Sequence, residues 1–112
     1  MEVYNKLIRD NIDIIINNNG KGEVAVTKIL SDTEYKEELI KKLDEEINEL
    51  KEAIYSGIKD NIVEESADVI EVIRAINSDN LDLVIEKLED KRNKKGGFKD
   101  KKYLEVVKKI SE

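Results

Sequence analysis

Residues 41–76 read KKLDEEINELKEAIYSGIKDNIVEESADVIEVIRAI, and this stretch decides the fold. It carries two acidic pairs, Glu46/Glu49 and Glu65/Asp68. Each pair is spaced i, i+3, so on a helix both carboxylates leave the same side. The segment between them, Leu50–Glu64, contains one glycine. That is enough chain to finish one helix, turn at Ser56-Gly57 and start an antiparallel partner. Four carboxylates on two facing helices make an oxygen-rich site suited to Mg²⁺ or Mn²⁺.

Upstream, Ser31-x-x-Glu34 is a capping box that opens a long helix from about Asp32 to Tyr55. Leu39, Leu43, Ile47, Leu50 and Ile54 form its apolar stripe. At about 100° per residue, Glu46 sits on the edge of that stripe and Glu49 a step further out. Lys42 shares this flank, whereas Glu45 and Glu52 lie on the far side. Downstream, Asn61-x-x-Glu64 reads as a second capping box, opening a helix to about Asn77. Ile62, Val63, Ala67, Val69, Ile70, Val72, Ile73 and Ile76 cover more than half of its circumference, which predicts a largely buried helix. Glu65 projects inside this apolar arc and Asp68 borders it. A carboxylate buried alone is costly, so it needs a metal, a base or a proton. The base alternatives are Arg9, Arg74 and Arg92.

Outside this centre, Met1–Arg9 is a short irregular or extended lead. Asp10 is a candidate N-cap for a first helix with Asp13 in its opening turn, and Ile12, Ile15 and Ile16 repeat at helical spacing. Asn17-Asn-Asn-Gly20 ends that helix, with Gly20 expected as the residue after the cap. Glu23–Leu30 alternates and is β-branched, which predicts one short strand, with Tyr103–Val107 as a candidate partner. Asp79 or Asn80 caps a last helix, where Leu81, Val84, Ile85 and Leu88 follow helical periodicity. The same face then carries Lys91, Arg92 and Lys95 before Gly96-Gly97 stops the helix. These cations suit phosphate binding, and equally suit the negative end of the helix dipole. The expected architecture is a single all-α domain over residues 1–112, with about four helices and a small β element.

Composition narrows the chemistry. The 112 residues contain no histidine or cysteine, which removes Ser-His-Asp and Cys-His nucleophile systems and zinc sites that use these ligands. Any metal site must be built from oxygen. The net charge of −6 disfavours a duplex-binding protein. Charge is also segregated: residues 32–71 hold 14 acids and 5 bases, whereas residues 91–109 hold 9 bases and 2 acids. No apolar run approaches a membrane span, no secretory leader is legible, and the lack of cysteine suits a reducing cytosol, so a cytoplasmic location is expected.

Taken together, these residues resemble the MazG-like all-α nucleoside triphosphate pyrophosphohydrolases. That family's signature is Glu-Glu-x-x-Glu followed after a spacer by Glu-x-x-Asp. Here it stands as Glu45-Glu46-Ile47-Asn48-Glu49, fifteen residues, then Glu65-Ser66-Ala67-Asp68. Tyr4-Asn-Lys-Leu-Ile-Arg-Asp10 is similar to the N-terminal segment of a single-domain branch, and Lys91–Phe98 to its basic segment ending in Gly-Gly-Phe. Asp13 departs from the branch, which often has proline there. The resemblance implies Mg²⁺-dependent hydrolysis of a nucleoside triphosphate, often a non-canonical one removed as house-cleaning, to monophosphate and pyrophosphate. It implies Glu46, Glu49, Glu65 and Asp68 as Mg²⁺ ligands and assigns Glu45 a water-orienting role, unless that side chain merely faces solvent. It further implies a homodimer or higher homo-oligomer. By chemistry, Lys91, Arg92 and Lys95 would hold the distal phosphates, with Lys6 or Arg9 as helpers. Two alternatives stay open: a related pyrophosphohydrolase acting on phosphoribosyl-ATP or dUTP, and a non-catalytic helical interaction module.

Overall fold

The computed structural model describes Met1–Ser111. Its elements are α1 (Ile12–Asn17), α2 (Asp32–Ser56), α3 (Lys59–Ile76) and α4 (Leu81–Lys95). Among the described residues there is no strand, so the fold is all-α. The chain groups into two compact units, Met1–Asn80 and Leu81–Glu112.

In the first unit, α2 and α3 pack along each other. α2 starts where Ser31 is extended and its hydroxyl accepts from the Glu34 N–H at 3.2 Å, while the Glu34 carboxylate accepts from the Ser31 N–H at 3.1 Å. This closes the capping box. α2 stops at Gly57, whose φ of 72° is left-handed and open to glycine without strain. The Gly57 N–H donates to the carbonyls of Ala53 and Ile54, each at 3.2 Å. Ile58 is extended, and α3 begins at Lys59. A connection of Gly57 and Ile58 alone returns the chain antiparallel to α2.

Several local expectations are corrected. α3 opens two residues before Asn61, because the tight turn delivers the backbone straight into helix; Asn61 lies inside its first turn and no side chain caps it. α1 is N-capped by Asn11, not Asp10, without a side-chain cap, although Asp13 does accept from the Ile14 N–H at 2.8 Å. α1 ends at Asn17 with Asn18 as its C-cap, before Gly20. The expected strand at 23–30 does not form. Its Ala25 N–H donates to the Asn17 side chain at 2.8 Å, and Val24, Val26 and Ile29 are exposed. Tyr103–Val107 forms no strand either. A strand exists only through a ladder partner, which neither segment has.

α3 is also less covered than its wide apolar arc predicts. Val72 is its buried residue, while Val63, Ile70 and Ile76 are exposed. On α2 the buried residues Leu39, Glu46 and Ala53 recur every seven positions, and Ile40 and Ile54, one step round, are exposed. One facing helix covers only about one stripe of its partner. In the second unit, α4 closes at Gly96, with a φ of 80° and its N–H donating to the Arg92 carbonyl at 2.8 Å. No helix is long and apolar enough to cross a membrane among the described residues.

Removing the Ser31 hydroxyl leaves the α2 N-terminus short of one acceptor. Ser31→Ala is expected to lower stability by about 1 kcal/mol, read as a lower urea midpoint with an unchanged slope.

Candidate metal site on the α2–α3 hairpin

The position of the turn sets the site. In an antiparallel hairpin, residues equidistant from the turn come level. Glu46 and Asp68 are each eleven residues from Gly57, and Glu49 and Glu65 are each eight. The three-residue spacing within a pair is a rise of about 4.5 Å. The structure accordingly brings one carboxylate oxygen from each of Glu46, Glu49, Glu65 and Asp68 within 4.8 Å of one another. All four residues predicted from the sequence meet in one place.

Burial is distributed differently from the sequence expectation. Glu46 is the most buried acid, retaining 7% of its exposure, whereas Glu65 and Asp68 are half-buried. The reason is the packing above: Glu46 occupies the stripe of α2 that faces α3, while part of the apolar arc around Glu65 is open. One oxygen of Glu46 and one of Glu65, Oε2 in each, are buried without a hydrogen-bond partner. Burial raises the Glu46 pKa, and the neighbouring Glu49 carboxyl pushes it the same way; Lys42 pulls it back.

Three cations reach these acids from within the first unit. Lys42 Nζ lies 3.4 Å from Glu46 Oε1 and 3.4 Å from Glu45 Oε2. Lys6 Nζ lies 3.7 Å from Glu45 Oε1. Arg9 Nη2 donates to Asp68 Oδ1 at 2.6 Å. Glu45 is therefore held between two lysines and does not simply face solvent. Of the arginines considered as partners for the buried acids, Arg9 takes Asp68, and Arg74 instead pairs with Glu71 at 3.1 Å. Lys42 stands on the flank that the helix wheel predicts and pairs with both Glu45 and Glu46. Its i, i+3 and i, i+4 spacing to these acids was the available signal.

The predicted phosphate ligands divide. Lys6 and Arg9 stand at the acidic residues. Lys91, Arg92 and Lys95 are exposed on α4, which belongs to the other unit.

The arrangement fits a hard divalent cation. Oxygens on one Mg²⁺ sit about 2.1 Å from it, so opposite ligands are about 4.2 Å apart and slight contraction of the cluster suffices. Four carboxylates balanced by Arg9 and Lys42 leave a formal deficit of two positive charges. The two partnerless buried oxygens are the acceptors such an ion would satisfy. No family model, no curated protein and no solved structure matches the chain.

The raised Glu46 pKa means that the folded chain holds this proton more tightly than the unfolded chain does. Its stabilising contribution is present at low pH and lost as pH rises through the folded-state pKa. In metal-free buffer, Glu46→Gln is expected to be more stable than the parent at pH 7, by about 1 kcal/mol, with the difference shrinking as pH falls. Thermal melts across pH check this.

Proposed function

We propose that this protein is a divalent-metal-dependent nucleoside triphosphate pyrophosphohydrolase of the MazG-like kind. The observation that carries the reading is the convergence of Glu46, Glu49, Glu65 and Asp68, with two buried oxygens lacking any other partner. The order and spacing of Glu45-Glu46-x-x-Glu49 and Glu65-x-x-Asp68 support it.

In this reading the four carboxylates hold Mg²⁺, with Mn²⁺ as an acceptable substitute. When bound, the ion would offset the repulsion between the acids and the triphosphate oxygens and lower the pKa of a water molecule. In the overall hydrolysis the oxygen of water joins phosphorus as the phosphoanhydride bond breaks, releasing monophosphate and pyrophosphate. Glu45, held by Lys6 and Lys42, takes the water-orienting role in this reading. No protein nucleophile is required, consistent with a chain lacking histidine and cysteine. Lys6 and Arg9 supply phosphate contacts from the N-terminal lead.

The partner proposed for the hairpin is a second copy of the chain. Support comes from the exposed apolar rows Ile40 and Ile54 on α2 and Val63 and Ile70 on α3, which one hairpin leaves uncovered.

A second reading, a non-catalytic helical module, draws on the Arg9–Asp68 bond, which already satisfies one acid without metal. Release of pyrophosphate from a panel of nucleoside triphosphates with Mg²⁺ separates the two. The parent is expected to release pyrophosphate, and Glu65→Gln, folded by circular dichroism, to lose at least about 100-fold in kcat/KM. Equal turnover in the two proteins would exclude the enzymatic reading.

The self-association reading makes its own forecast. Ile40→Lys combined with Ile54→Lys is expected to shift the protein to monomer in sedimentation velocity while leaving helical content unchanged.

A further inference from the structure

We propose that Arg9 is the resident counter-ion of the acidic cluster and that it exchanges Asp68 for a phosphate group when a divalent cation takes the carboxylates. The inference rests on the metal-site reading above and assigns one side chain two successive partners.

The geometry carries it. Arg9 lies 59 positions from Asp68 in sequence, yet its Nη2 donates to Asp68 Oδ1 at 2.6 Å. Asp68 is one of the four acids whose oxygens converge within 4.8 Å, so the guanidinium competes with a cation for the same oxygen. The contact is reversible by construction. The Arg9 and Asp68 side chains are 56% and 39% exposed, and a bond this accessible to water is weak enough for a divalent ion to displace. Arginine keeps its charge at any accessible pH, so the exchange proceeds by competition between cations and not by titration.

The backbone around Arg9 suits the move. Its carbonyl accepts from the Ile12 N–H at 3.1 Å, which anchors the main chain at the start of α1 independently of the side chain's bond to Asp68. Lys6 on the same lead meets Glu45 at 3.7 Å, so both cations of the lead are tethered to acids at or beside the cluster. Once released, the guanidinium is a planar fork next to the ion, the shape that grips two phosphate oxygens at once. The same side chain therefore lowers affinity for the bare ion and raises affinity for an ion-bound polyphosphate.

This opposition of sign is the test. Calorimetric titration of the full chain with Mn²⁺ alone, and then with inorganic tripolyphosphate at saturating Mn²⁺, is compared for the parent, Arg9→Ala, Arg9→Lys and Glu46→Gln. Arg9→Ala is expected to bind Mn²⁺ roughly two- to fivefold more tightly than the parent, with the gain shrinking at high salt, and to bind tripolyphosphate more weakly. Arg9→Lys should fall between them in both titrations. If Arg9 only pinned the lead to the hairpin, its removal would loosen both ligands together. That result, or unchanged Mn²⁺ affinity in Arg9→Ala while Glu46→Gln loses the ion, overturns the exchange and leaves the metal site standing. Absence of Mn²⁺ binding in both the parent and Arg9→Ala overturns the exchange and the metal-site reading together. Should Arg9→Ala lose helicity, Arg9→Gln takes its place in the same comparison.

Discussion

The turn at Gly57 and Ile58 is the constraint on which the rest depends. Its left-handed glycine and single extended residue leave no slack, so the register of α2 against α3 follows from residue counting. That register makes Glu46 level with Asp68 and Glu49 level with Glu65. A one-residue insertion in the turn would rotate α3 by about 100° and carry Glu65 and Asp68 away from their partners. The glycine is therefore as much a part of the acidic site as the acids are.

The site also shows why the hairpin is a compromise. The buried residues of α2 are Leu39, Glu46 and Ala53, so an acid occupies the middle of the buried row. A leucine there would pack better and leave no partnerless oxygen. Burying Glu46 raises its pKa, and Lys42 offsets the cost only in part. The proposed metal site gives a physical reason for such a locally unfavourable choice among otherwise consistent packing. Arg9 extends the same logic. It neutralises an acid of the cluster through a contact exposed enough to be surrendered.

The exposed rows on both helices show where the single chain stops being sufficient. α2 carries apolar residues on two adjacent stripes, and α3 covers only the first. Ile40 and Ile54 on α2, and Val63 and Ile70 on α3, remain exposed. The extended segments at 23–30 and 103–107 show the same feature in a different form. Their β-branched and aromatic residues are exposed because nothing offers them a ladder.

Sequence alone determined the helices with strong periodicity and punctuation. The Ser31–Glu34 box, the glycine stop at 57, the glycine stop at 96 and the i, i+3 acidic pairs are all local features, readable because capping and helical spacing involve residues within a turn of one another. The four acids were legible as a set for the same reason. Local pattern could not say which acid would be buried. It pointed to Glu65 by its apolar neighbours, whereas the interhelical contact chose Glu46. It offered Arg9, Arg74 and Arg92 as bases without choosing among them, since a bond spanning 59 residues leaves no periodic trace. The strand at 23–30 failed on similar grounds: alternation marks a capacity for pairing, and only the tertiary structure decides whether a partner is there.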